Sequence, residues 1–128
     1  MMMIPVHRST LRLTHYGRRS HNVFHVTIWF TVIDEELWIG SLDGNRNWVK
    51  NLKAGGRARV DFGEGPATVS VEFIESASDN ARFRASVSKK YPMLSRLIAL
   101  FVRNKKPVAF RLRLAADEIG QVGTLGKL

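Results

Sequence analysis

The sequence predicts a mainly β domain, a small antiparallel barrel with short helices covering one end, and three observations carry that expectation. Residues 24–33 alternate strictly, with Phe24, Val26, Ile28, Phe30 and Val32 on one face and His25, Thr27, Trp29 and Thr31 on the other. That is the period of a half-buried antiparallel strand. Residues 58–62 and 67–74 flank Gly63-Glu64-Gly65-Pro66, a hairpin signal, and Ala67, Val69, Val71 and Phe73 share one face. Residues 108–114 then set Val108, Phe110, Leu112 and Leu114 against Ala109, Arg111 and Arg113.

Taken in order, residues 1–13 read as a solvated N-terminal arm, and the first strand is 24–33. Asp34-Glu35-Glu36 makes a turn, and 37–42 pairs back as a second strand. A Gly-containing turn leads into a short helix that places Trp48, Asn51 and Leu52 on one face at i, i+3 and i+4. The hairpin and the strand over 108–114 bring the total to five strands, with every neighbour antiparallel, as a small closed or split barrel requires. Between the fourth and fifth strands, 79–89 reads as a helix with Phe83 and Val87 as its buried stripe. Tyr91 ends that helix, and Pro92 starts another with Leu94, Leu97, Ile98 and Phe101 on its apolar face. Both are expected to cover an open end of the barrel. The stretch 117–128 has no period and reads as a tail that is either disordered or reaches a neighbouring subunit.

With 128 residues and 45% hydrophobic content, the chain suits one compact core, so 1–128 is read as a single domain. A cofactor larger than a metal ion then sits at the domain's edge or in a dimer cleft. The formal charge of +9 favours an anionic partner: nucleic acid, anionic lipid, or a cofactor bearing phosphate or carboxylate. The chain has no cysteine, which excludes disulfides, thiolate metal sites and cysteine nucleophiles. Neither a secretory apolar core nor a run of about 18 apolar residues is present, so the expected location is cytoplasmic. Arg8, Arg12, Arg18 and Arg19 are able to touch an anionic membrane surface weakly, as a peripheral contact. His7, His15, His21 and His25 have no metal-ligand spacing with nearby carboxylates and read as surface or strand-face histidines, so no metal is expected.

Two short motifs carry chemistry. Gly17-Arg18-Arg19-Ser20 supplies a flexible backbone, two forked cations and a hydroxyl, which suit an exposed phosphate or carboxylate. In Asp43-Gly44-Asn45-Arg46-Asn47-Trp48, Asn45 or Asn47 can cap the helix, whose N-terminus is an anion site reinforced by Arg46. Lys50, Lys53, Arg57 and Arg59 extend the basic strip.

Gly17-Arg18-Arg19-Ser20 followed by Ser41-Leu42-Asp43-Gly44 and Trp48-Val49-Lys50-Asn51-Leu52-Lys53-Ala54 resembles the deazaflavin-dependent nitroreductase family of split β-barrel flavin and deazaflavin oxidoreductases. The resemblance covers roughly 14–114 and implies a split barrel of the FMN-binding type, a homodimer, and a deazaflavin coenzyme (F-420, with FMN as the alternative). It implies that Gly17, Arg18, Arg19 and Ser20 hold the acidic tail of the cofactor. Ser41, Asn45, Arg46, Trp48 and Asn51 would lie along the rest of it, with Trp48 flanking the ring. Tyr91, in a Tyr-Pro pair like the family's, is the implied catalytic residue. The family's second glycine near Asn45 and proline near Asn47 are absent, and Leu94 and Leu97 stand where nitro- or quinone-reducing members carry tyrosines. The expected reaction is hydride transfer from the reduced cofactor to a small apolar, electron-poor acceptor: a nitro compound, quinone or enone. Alternatives within the fold are an FMN enzyme or a haem or fatty-acid carrier. A basic barrel binding single-stranded nucleic acid is the rival from another class. The period-2 pattern puts Phe24, Phe30 and Phe110 on the core face rather than on a stacking surface, so no nucleic-acid partner is expected.

Overall fold

Alternating apolar side chains set six strands edge to edge in the computed structural model, which describes residues 4–93, 96 and 106–114. The expectations placed on Leu94, Leu97, Ile98, Phe101 and 117–128 lie outside the described residues. In chain order the elements are β1 (Thr10–Tyr16), β2 (Val23–Ile33), β3 (Glu36–Ser41), α1 (Asn47–Gly55), β4 (Arg57–Asp61), β5 (Pro66–Phe73), α2 (Ala77–Lys90) and β6 (Val108–Leu114). The strands close as a barrel in the order β1-β2-β3-β6-β5-β4, with every neighbour antiparallel.

The sixth strand is β1, which the sequence reading left largely in the N-terminal arm. It buries Leu11, Leu13 and His15 at alternate positions. Because the third inward residue is a histidine, the stretch carries the strand period without the apolar signal that announces it. The arm therefore ends at Ser9. β1 pairs with β2 along its whole length, but closes the barrel against β4 through only Arg12–Asp61, Leu13–Val60 and Thr14–Arg59.

Turn chemistry fixes the registers. Asp34 (φ 53°) and Glu35 (φ 65°) form a two-residue connection with both φ values positive, matching the twist of β2 and β3. Between β4 and β5, one carboxylate oxygen of Asp61 accepts the N–H groups of Gly63 (2.7 Å) and Gly65 (3.1 Å).

Inside the barrel, Leu11, Leu13, Phe30, Leu37, Ile39, Val60, Val69, Phe110 and Leu112 form the core, joined by Trp48, Val49 and Leu52 of α1. Each large side chain so buried contributes about 1.5–3 kcal/mol. Helix α1 thus plugs one end, the place expected for the helices after β5. Helix α2 does not share that role: it lies on the outer face of the wall formed by β2, β3 and β6. Trp38 and Ala109 alternate outward from Leu37, Ile39 and Phe110, so this wall is apolar on both faces and needs a second layer. Phe83 of α2 stacks on Trp38 (ring centroids 6.4 Å, interplanar angle 17°), and Ser86 hydrogen-bonds Thr31. The ring of Phe83 passes directly over Gly40, where a Cβ would fall 2.5 Å from it. Ser76 caps α2, its hydroxyl accepting from the N–H of Asp79 at 3.1 Å. Phe24 points inward by parity but sits at the barrel rim, 44% exposed.

Candidate functional site

At the end of the barrel plugged by α1, the β1–β2 connection is tied to the helix. The loop 17–22 closes on itself through Gly17 N–H to Asn22 O (2.8 Å) and His21 N–H to Gly17 O (3.0 Å), while Ser20 Oγ accepts from Asn22 N–H. A Cβ at Gly17 would meet Ser20 Oγ at 2.4 Å, so the serine hydroxyl would have to turn away from it. From this loop the backbone N–H (3.2 Å) and the Nη1 (2.9 Å) of Arg18 both donate to Oδ1 of Asn51. Asn51 is buried and donates in turn through Nδ2 to Nδ1 of His15 at 3.0 Å. The His15 ring stacks on Phe24 (5.5 Å, 23°). Burial, and then the neighbouring His25, hold the His15 imidazole below its ordinary value.

The 41–46 turn leads into the same helix. Ser41 Oγ donates to Asp43 O (2.9 Å) and accepts from Asp43 N–H (3.2 Å), and Asp43 Oδ1 accepts from Asn45 N–H (2.9 Å). The expected asparagine cap is not formed. Arg46 occupies the N-cap position with no side-chain bond to the helix, and the first turn contains no acidic residue. Asn45 is instead drawn into the Asp43 turn, and Asn47 already lies in the helix. The leading N–H groups of α1 are therefore left for water or an anion. Trp48 lies in the core, 7% exposed and tilted against Phe110 at 6.1 Å, where it fixes α1 to the barrel.

Ser41 also borders an apolar groove of about 350 Å³ between α2 and the outer wall, lined by Trp29, Leu42, Phe83, Val87, Tyr91 and Val108 among others. Trp29 is 48% exposed and packs beside Tyr91 (6.1 Å). The Tyr91 hydroxyl lies 2.6 Å from Phe30 O and 2.8 Å from Ser9 O, so its single proton serves one carbonyl at a time. Burial pushes the phenol up, keeping it protonated, and pushes the neighbouring Lys90 ammonium down. Lys90 Nζ donates to Phe30 O (3.1 Å) and lies over the Phe30 ring.

The structure thus brings Gly17, Arg18, Ser20 and Asn51 together at one end, and Ser41 with Tyr91 along the groove. From Trp29 to Val23, β2 runs about 20 Å between the two. The 41–46 turn joins them. Sequence reasoning missed His15, read as a strand-face residue, and the groove residues Trp29, Phe83 and Val87 as a set. The inward parity of His15 with Leu11 and Leu13 was the signal for the first.

Charge is distributed unevenly. On the side of α2, Arg111 pairs with Glu72 (2.5 Å) and Glu36 (3.7 Å), Arg113 with Glu36 (2.6 Å), and Arg82 with Asp34 and Asp79. Around β1 and β4, Arg12, Arg19 and Arg59 have no carboxylate partner among the described residues, and Arg59 Nε is buried without a hydrogen bond. No group of three potential ligands that could hold a metal ion occurs among the described residues. No helix among them is long and apolar enough to cross a membrane.

A closed antiparallel barrel of six strands, with one helix in its end and one on its wall, defines a split-barrel domain. No family model matches the sequence, and no curated protein matches it. Solved structures do share the fold. The haem storage protein HutZ from Vibrio cholerae superposes with a TM-score of 0.67 at 14% identity, covering 84% of this chain and 82% of that one. An F-420-H2-dependent reductase gives 0.66 at 15% identity, covering 83% and 95%. An FAD-binding protein from Mesorhizobium loti gives 0.59 at 15% identity, covering 86% and 83%.

Proposed function

We propose that this chain is a flavin-class oxidoreductase that uses the deazaflavin coenzyme F-420 and acts as a homodimer on apolar, electron-poor acceptors such as nitro compounds, quinones or enones. The observation that carries the reading is the pair of hydrogen bonds from Arg18 to Asn51, which joins the basic loop to a helix with no side-chain cap. Arg18, Arg19 and Ser20 of the loop, with Arg46 and the leading N–H groups of α1, would supply donors to a phosphate- and carboxylate-bearing cofactor, and no acidic residue in the first helical turn competes with it. When bound, the reduced coenzyme supplies hydride. The protein supplies position, an apolar groove, and a phenol at Tyr91 that stays protonated and, by turning from its carbonyl partners, can donate toward negative charge developing on an acceptor. Ser41 links the two parts, ordering the turn into α1 while bordering the groove. The structural neighbours include both a reductase dependent on reduced F-420 and an FAD-binding protein, which supports the cofactor class.

The test is a fluorescence titration with oxidised F-420 beside FMN at two salt concentrations. Micromolar binding that weakens with salt, with FMN bound less well, is expected if three or four charged hydrogen bonds form at about 1.5–3 kcal/mol each. Binding of neither compound at low salt overturns the proposal.

A further inference from the structure

Hydrogen-bond polarity along the chain from Arg18 to His15 leaves no freedom. Arg18 presents two donors, its backbone N–H and Nη1, so the Asn51 atom that receives them is the amide oxygen. The amide nitrogen then faces His15 Nδ1, 3.0 Å away, and that nitrogen must be the acceptor. The imidazole in this arrangement is neutral and carries its proton on Nε2. A proton added at Nδ1 would set two donors against each other. If the Asn51 amide turned over to offer its oxygen to His15, its NH2 would face the two donors of Arg18. Protonation loses the Asn51–His15 contact and turning the amide loses both Arg18 contacts, because Asn51 is buried and no water-exposed alternative is at hand.

We propose that His15 is a positioning residue: its unprotonated Nδ1 holds Asn51, and through Asn51 holds Arg18, in the geometry with which the 17–22 loop receives an anion. The charged groups around it all oppose protonation. They are His25 on β2, the one whose charge acts on the ring directly, Arg18 in the loop, and Arg57 and Arg59, which flank Ala58, the position facing His15 when the β1–β4 register is continued. No carboxylate is among the groups that act on the ring. Burial acts in the same direction, and stacking on Phe24 prevents the ring from swinging out. The loop is therefore held firmly at neutral pH and released in acid.

This inference rests on the reading of the loop as an anion site, but its first test needs no ligand. In the full chain, the His15 ring nitrogens and the Arg18 backbone amide are followed by NMR from about pH 8 to pH 5. The Arg18 amide is expected to shift with the His15 midpoint, which lies below 6.5. In His15→Gln, whose side-chain oxygen can accept from Asn51 without titrating, the Arg18 shift is expected to stay flat. Affinity for inorganic sulfate, whose charge is constant over this range, is expected to fall about tenfold in acid for the wild type, the weight of one charged hydrogen bond, and to hold in the variant. An Arg18 amide that ignores the His15 titration overturns the proposal, and the wild-type measurement alone decides this if the variant does not fold. An Arg18 amide that follows His15 while no anion binds at any pH leaves the relay standing and removes the functional reading of the loop.

Discussion

Gly40→Ala should push α2 off the barrel wall, and the cost can be worked out from what a methyl group would meet. A Cβ there lands 2.5 and 2.6 Å from two carbons of the Phe83 ring and 2.8 Å from Val108 O. The β3 backbone cannot retreat, because Gly40 is paired with Ala109 on β6. The ring cannot move freely either: Phe83 stacks on buried Trp38, and α2 is also fastened through Ser86 to Thr31 and Arg82 to Asp34. Overpacking of this kind costs about 1–3 kcal/mol. For a domain of this size that lowers Tm by roughly 4 °C per kcal/mol. The assay is a double-mutant cycle in chemical denaturation with Phe83→Ala as the second arm. Removing the ring costs about 2–3 kcal/mol by itself, since Phe83 is only partly buried. Gly40→Ala should then cost at least about 1 kcal/mol less in that background, with the Val108 O contact accounting for what remains. If the two costs add to within about 0.5 kcal/mol, Gly40 is not accommodating the ring and the packing of α2 described above is wrong.

Three further outcomes are expected. Asn51→Ala leaves two Arg18 donors and His15 Nδ1 without their partner and should destabilise the fold by about 1–3 kcal/mol in urea or guanidinium titration. Because the folded His15 resists a proton that the unfolded chain binds near 6.5, the unfolded state carries more protons in mild acid; stability is fully present above 6.5 and is lost as pH falls, a slope that His15→Gln should flatten in denaturant midpoints. Tyr91→Phe should cost about 1 kcal/mol of stability, leave the affinity for oxidised F-420 within about twofold, and slow reduction of a nitroaromatic acceptor at least about tenfold; unchanged turnover would remove Tyr91 from the reaction.

Where the outward positions along a strand are mostly polar, or the turn residues are diagnostic, the sequence was easy to read. The alternation of β2 and β6 and the Gly63–Gly65 turn located their strands to within a residue or two. Legibility failed where a second layer or a polar inward residue breaks the binary pattern. Trp38 is as buried as its neighbours Leu37 and Ile39 because α2 covers the outside, so the continuous apolar run of β3 showed the strand but not the helix that covers its outer face. β1 hides because its third core position is His15. Phe24 has the parity of a core residue and the exposure of a rim residue, a distinction that depends on how far each strand extends past the barrel's end. At the candidate site, the sequence placed the basic loop and the helix in the right order but could not show that Asn51 joins them, because residues 33 positions apart meet only through the β1–α1 packing.

The short seam between β1 and β4 bears on how the protein survives its own fluctuations. Three register pairs close the barrel there, against seven between β1 and β2, so transient opening should begin at this line and bare two strand edges. Bare edges invite another copy to add on. Along this seam the outward side chains include Arg12, Arg57 and Arg59, so two opened molecules meeting edge to edge would bring arginine against arginine. The positive charge of Arg12 and Arg59, which have no carboxylate partner among the described residues, thus guards the least secure closure of the barrel against aggregation.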